Sequence, residues 1–169
     1  LARIYNQQGK FSDSRKTSAR AYDLIRPVAS APGASVPARR AMGEIAVSHG
    51  FNALRDGENK DALEILENAR AALRSIDGLK LDDLNSAALY VEATAWQMDA
   101  YMADGRAAES IKPGEEARAV ADGVLEKRPG HMMALRARGL LLSNSGDTEN
   151  ERLRFKSSIP FYASATRDY

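Results

Sequence analysis

The chain has 169 residues, 44% of them hydrophobic, and its 24 basic and 23 acidic residues leave a net charge of +1. That length suits one domain or a short run of repeats, and the balanced charge argues against a nucleic-acid binder and against an acidic disordered tail. With no cysteine, disulfides and thiolate chemistry are excluded, and no apolar run approaches the roughly 20 residues of a membrane span.

The chain opens at Leu1 in mid-pattern, without the charged start and apolar stretch of a signal peptide. It therefore reads as a fragment of a longer protein, with a cytoplasmic location expected. Alanine, leucine and charged helix formers dominate, and no period-2 alternation is visible, so helix is expected throughout. Helices are predicted over 1–8, 10–26, 36–55, 59–75, 82–104, 113–127, 131–145 and 148–158, with 159–169 left as a tail or the start of a linker. Breaks are expected at Ser30–Ser35, Asp77-Gly78, Lys112-Pro113-Gly114 and Arg128-Pro129-Gly130, where proline cannot continue a helix and glycine relaxes its exit.

The informative signal is a spacing of 48 residues. Gly9, Gly57 and Gly105 are separated by it, as are Tyr5, Ala53 and Tyr101, the trio Ser14, Ala62 and Ser110, and the trio Ala21, Ala69 and Ala117. A fourth unit is expected around Gly146, with Gly139 seven residues before it as Gly50 precedes Gly57. Each glycine would end one helix, and small residues would let a second helix pack closely on the first. Such pairs cannot bury their apolar faces alone, so they stack.

The run Leu1-Ala2-x-x-Tyr5-x-x-x-Gly9-x-Phe11-x-x-Ser14 with Ala21 resembles the tetratricopeptide repeat family. So do Gly50, Gly57, Ala62, Leu66 and Ala69, and the stretch from Pro129 through Leu135, Gly139 and Leu142 to Gly146. The resemblance covers most of 1–158 and implies an all-α, right-handed α-solenoid of antiparallel helix pairs. The sequence also departs from the family. A unit of about 34 residues is usual, and the surplus of about fourteen corresponds to roughly four helical turns. The early aromatic of the first helix is missing, with Trp96 two residues off. In the third unit either Ala117 or Val124 could be the small packing residue. Another α-solenoid is the competing fold.

Chemistry-bearing patterns are few. His49 and His131 lie 82 residues apart with no ligand-spaced partners, so neither a metal nor a cofactor is expected. Asp56 to Asp61 lacks the ligand pattern of a calcium loop; Asn59 or Asp61 is read as a helix cap. Asp82-Asp83 and Glu115-Glu116 suit helix starts. No phosphate-binding loop or nucleophile elbow is present, so no enzyme is expected. Arg136, Arg138, Arg152, Arg154 and Lys156 bias the last quarter positive. Met98, Met102, Met132 and Met133 are either core filler or an adaptable surface.

The resemblance implies that the first helix of each pair lines a concave groove. The corresponding residues are Glu44, Val47, Phe51 and Leu54, then Glu92, Ala95, Asp99 and Met102, then Met133, Arg136, Leu140 and Ser143. They would bind a protein or peptide with apolar anchors, with Phe51 and Arg136 as the strongest contacts. Phe51 could equally be core. A scaffold that binds a protein or peptide, without membrane insertion, is the function expected. A structural or regulatory segment of a larger signalling protein is the alternative.

Overall fold

The computed structural model describes residues 1–76, 79 and 81–168, with Arg3 described by its backbone alone. The fold is 83% helical. Among the described residues there are eight α-helices and no strand: α1 (Ala2–Gln7), α2 (Phe11–Ala29), α3 (Val36–Arg55), α4 (Asn59–Arg74), α5 (Leu84–Ala103), α6 (Ile111–Lys127), α7 (Met132–Glu151) and α8 (Phe155–Asp168). The expected Asp77-Gly78 break lies outside the described residues.

The period of 48 holds along the whole fold. α3, α5 and α7 are each 20 residues long and start at 36, 84 and 132. Each is preceded by a capping residue one period from the last. Ser35 Oγ accepts from the Ala38 amide at 3.3 Å, Asp83 Oδ1 from Ser86 at 3.2 Å and His131 Nδ1 from Ala134 at 3.2 Å. Each cap satisfies an amide that the first helical turn leaves without a partner.

The odd helices also end alike. The backbone turns left-handed at Gly9, Gly57, Gly105 and Leu153, with φ of 71°, 80°, 72° and 57°. The next amide then reaches back five residues: Lys10 to Tyr5, Glu58 to Ala53, Arg106 to Tyr101 and Arg154 to Glu149, at 2.8 to 2.9 Å. This is the long bond of a Schellman cap. The fourth turn is thus at Leu153 and not around Gly146. The turn requires a backbone conformation, and a leucine adopts it there at a cost of about 1–2 kcal/mol.

Gly146 lies within α7 instead, where an added Cβ would sit 2.6 Å from the Tyr162 ring. Two other pairs, each one period apart, have the same relation. A Cβ on Gly50 would meet Leu66 at 2.6 Å, and one on Gly114 would meet Met98 Sδ at 3.0 Å. The small partner is on α3, then on α6, then on α7. Pro113-Gly114 therefore does not interrupt its helix. Pro113 sits in the first turn of α6, where no N–H is needed. Both Ala117 and Val124 are fully buried, and Ala117 is one period on from Ala69. Three further boundaries move: α2 continues through Pro27 to Ala29, α7 runs unbroken to Glu151 across the break expected between 145 and 148, and α8 starts only at Phe155, so that 159–168 form most of it, packed along α7, in place of a tail.

Each even helix packs on the odd helix before it, and α2, α4 and α6 also pack on the odd helix after; α3 and α7 both pack against α5. Ala62, Ala69 and Leu66 are fully buried in a core shared by α2, α3, α4 and α5, and Leu73 and Leu141 in the next. Full burial of such a leucine contributes about 1.5–3 kcal/mol. Among the described residues no helix is long and apolar enough to cross a membrane.

Candidate functional site

A concavity of about 200 Å³ is lined by Asn6 and Gln7 of α1, Val47, Ser48 and Phe51 of α3, Glu92 and Trp96 of α5, and Arg136 of α7. Every contributor is on an odd-numbered helix. The common period aligns these helices, so that residues of α3, α5 and α7 meet on one face. Phe51 and Trp96 form its aromatic wall, with ring centroids 4.7 Å apart and planes tilted by 57°. Ser48 Oγ is buried there without a hydrogen-bond partner. Asn6 is held from both sides: it donates to Asn52 Oδ1 at 3.3 Å and accepts from Arg55 at 3.3 Å.

Four of the ten residues carried over from the family pattern come together here: Val47, Phe51, Glu92 and Arg136. Val47 is a floor residue, almost fully buried. Arg136 is exposed and Glu92 half-buried, and neither has a hydrogen bond or ion pair among the described residues. An unpaired cation and an unpaired carboxylate beside an aromatic wall are suited to contact an incoming chain.

The remaining six lie elsewhere. Leu54 and Leu140 are half-buried against the two main cores, because each faces the neighbouring helix and not the open side. Glu44 and Met133 are exposed outside the concavity, and Met102 is half-buried. Asp99 is half-buried, one period on from Phe51, and its carboxyl is pushed up, first by burial and then by the charge of Asp147. Of the two other stripe residues, Ala95 is buried and Ser143 half-buried, both also outside the concavity.

Asn6, Gln7, Ser48 and Trp96 are not among the groove residues that the family pattern implies. Ser48 and Trp96 are one period apart, and Asn6 is one period before Leu54. Carrying the stripe back into the first unit reaches Asn6, and one residue around the helix reaches Gln7, Ser48 and Trp96.

Other candidates are structural. His131 caps α7 through Nδ1, while its Nε2 is 3.1 Å from Asn85 Oδ1. His49 is half-buried, packs on Tyr22 with centroids 5.3 Å apart, and is pushed below its ordinary value by that burial. In the Asp56–Asp61 segment, Asp56 and Glu58 both bind Arg15. Neither Asn59 nor Asp61 caps α4. Its cap position is Glu58, with no side-chain bond, and Asn59 donates to the Ala103 carbonyl at 3.1 Å. Among the described residues no three His, Asp or Glu side chains gather as a metal site. Comparison of the chain with protein-family models, with curated proteins and with solved structures finds no match.

Proposed function

We propose that this chain is a non-catalytic, tetratricopeptide-like scaffold, a right-handed stack of helix pairs that binds a protein or peptide segment in the concavity of its odd helices. The carrying observation is that Phe51, Trp96, Glu92 and Arg136, from three helices, line one open depression in which both charges lack partners. A segment with one apolar or aromatic anchor suits the Phe51–Trp96 wall, and an acidic group suits Arg136. A basic group would complement Glu92.

Trp96 is the single tryptophan of the chain, so its emission reports occupancy. Peptides selected from a random library against the whole chain should shift Trp96 emission saturably. Phe51→Ala combined with Arg136→Ala should weaken them by about tenfold or more. Selected peptides that leave Trp96 emission unchanged, or bind the double variant equally, would overturn the assignment and favour a structural segment of a larger protein.

A further inference from the structure

A hydrogen-bonded triad that is closed at the joint of the second and third units is open at the next joint. Between α4 and α5, Gln97 is almost fully buried, its Oε1 accepting from Arg70 at 2.7 Å and its Nε2 donating to Glu67 at 2.8 Å. Arg70 also donates to Glu67 at 2.9 Å and to the Tyr90 hydroxyl at 3.1 Å. One period on, between α6 and α7, the same positions hold Ser145, Arg118 and Glu115, and Tyr90 gives way to Arg138.

The second joint lacks the carboxamide. The Ser145 hydroxyl turns back to the Leu141 carbonyl at 2.8 Å, and Arg138 is drawn away to Asp122 and Asp168. Arg118 keeps only Asp122, at 3.9 Å, and Glu115 has no hydrogen bond or ion pair among the described residues. A cavity of about 150 Å³ opens at Glu115, Arg118 and Ser145, with Met98, Ile111 and Phe161 as its apolar wall. The other polar side chains of its lining are engaged, Thr148 with Asn144 and Ser110, and Glu149 with Arg152 and Arg154.

We infer that this cavity receives a glutamine side chain of a protein partner, which replaces the carboxamide that Gln97 supplies one joint earlier. Its oxygen accepts from Arg118, its amide group donates to Glu115, and its methylenes lie on the apolar wall. A carboxylate of the same length would face Glu115 and Glu149, and an ammonium would face Arg118. The neutral group that both donates and accepts is therefore selected. The chain's remaining glutamines, Gln7 and Gln8, lie at the end of α1, which packs on α2, so the group comes from another molecule.

The ligand for the test is the tripeptide Leu-Gln-Leu, acetylated and closed by an N-methylamide, titrated into the isotope-labelled whole chain. It should shift the amide NMR signals of Ser145 and Phe161 saturably at millimolar concentration. The same peptide with glutamate, lysine or methionine at its centre should bind about tenfold more weakly. Ser145→Gln supplies the missing group from within and should abolish binding, whereas Ser145→Ala, which leaves the cavity open, should retain it. Both variants change a half-buried side chain and should keep the parent's circular dichroism. Arg118→Met should weaken the glutamine peptide about tenfold and the methionine peptide little.

No saturable shift, equal binding of the four peptides, or undiminished binding to Ser145→Gln would overturn the proposal. Free propanamide binding as tightly as the peptide would assign the cavity to small amides, against a partner's side chain. Self-association of the parent that Ser145→Gln abolishes would assign it to a second copy, with the same consequence.

Discussion

The pair α3–α4 and the pair α7–α8 have the same backbone but different side chains at the positions that shape it. One turns on Gly57 and the other on Leu153, both left-handed. One seats Leu66 over Gly50 and the other Tyr162 over Gly146, while between them Met98 fills the space left by Gly114. The joints between units behave likewise. Asn52 donates to Ser14 Oγ at 3.1 Å, and Ser110 is 3.2 Å from Thr148, whereas the intervening match is Ala62 with Ala100. What repeats is conformation, summed volume and matched polarity, because a buried polar group without a partner is costly.

The comparison breaks most sharply at the seated pairs. Gly50→Met copies the odd helix of the third unit while leaving Leu66 in place, and should cost about 1–3 kcal/mol or more by overpacking. Adding Leu66→Gly should restore part of it, with a coupling of about 0.5–3 kcal/mol between the sites. Urea unfolding of the four proteins checks this; simple additivity would separate these positions.

The alanine position shared by all four units gives the next effect. Ala69→Phe should destabilise by about 1–3 kcal/mol, since Ala69 is fully buried. Ala21→Phe, on the half-buried face of α2, should change stability by less than about 0.5 kcal/mol. Thermal melts that move equally would refute this difference in burial between Ala69 and Ala21.

A smaller gain is expected at the fourth turn. Leu153→Gly should stabilise by about 1 kcal/mol, because the left-handed conformation strains leucine and not glycine, and Leu153 is 75% exposed and loses little packing. Gly57→Leu should destabilise by a similar amount, and denaturant midpoints of both variants test the symmetry.

The smallest effect is electrostatic. Phe51 is succeeded one and two periods on by Asp99 and Asp147, and burial with the charge of Asp147 raises the Asp99 carboxyl above its ordinary 3.8. A raised folded-state value means that the native state holds this proton more tightly than the unfolded chain does. Ionised Asp99 therefore detracts from stability at neutral pH, and that penalty is relieved as pH falls from the raised value towards 3.8. Asp99→Asn should raise the melting temperature at pH 7, with the gain disappearing below pH 3.8. A gain that persists in acid would point to packing in place of charge.

Much of this was legible in the sequence where a residue type has a single physical reason to be present. Three turns were readable because glycine enters the left-handed region freely; the fourth was hidden because leucine there is paid for in strain. Gly146 misled because it meets a different need, room for the Tyr162 ring. Helix spans 36–55 and 59–75 match α3 and α4 to within a residue, since caps and breakers bound them. His131 was invisible as a cap because histidine is an uncommon one. In the concavity, the helical stripe found Phe51, Glu92 and Arg136, but contact across three helices depends on their lateral packing. That packing also placed Trp96 opposite Phe51, which no spacing within one helix specifies.

The neighbour-only packing of the helices also shapes how the protein comes apart. When each element touches only those next to it along the array, the unfolding free energy is a sum of unit and junction terms, and opening can begin at either end. α5 is held by α3, α4, α6 and α7 at once, whereas α8 rests chiefly on α7. Amide protection should therefore rise from the two ends towards α5. Exchange in α8 then measures the loss of one junction, and exchange in α5 measures the loss of the whole array.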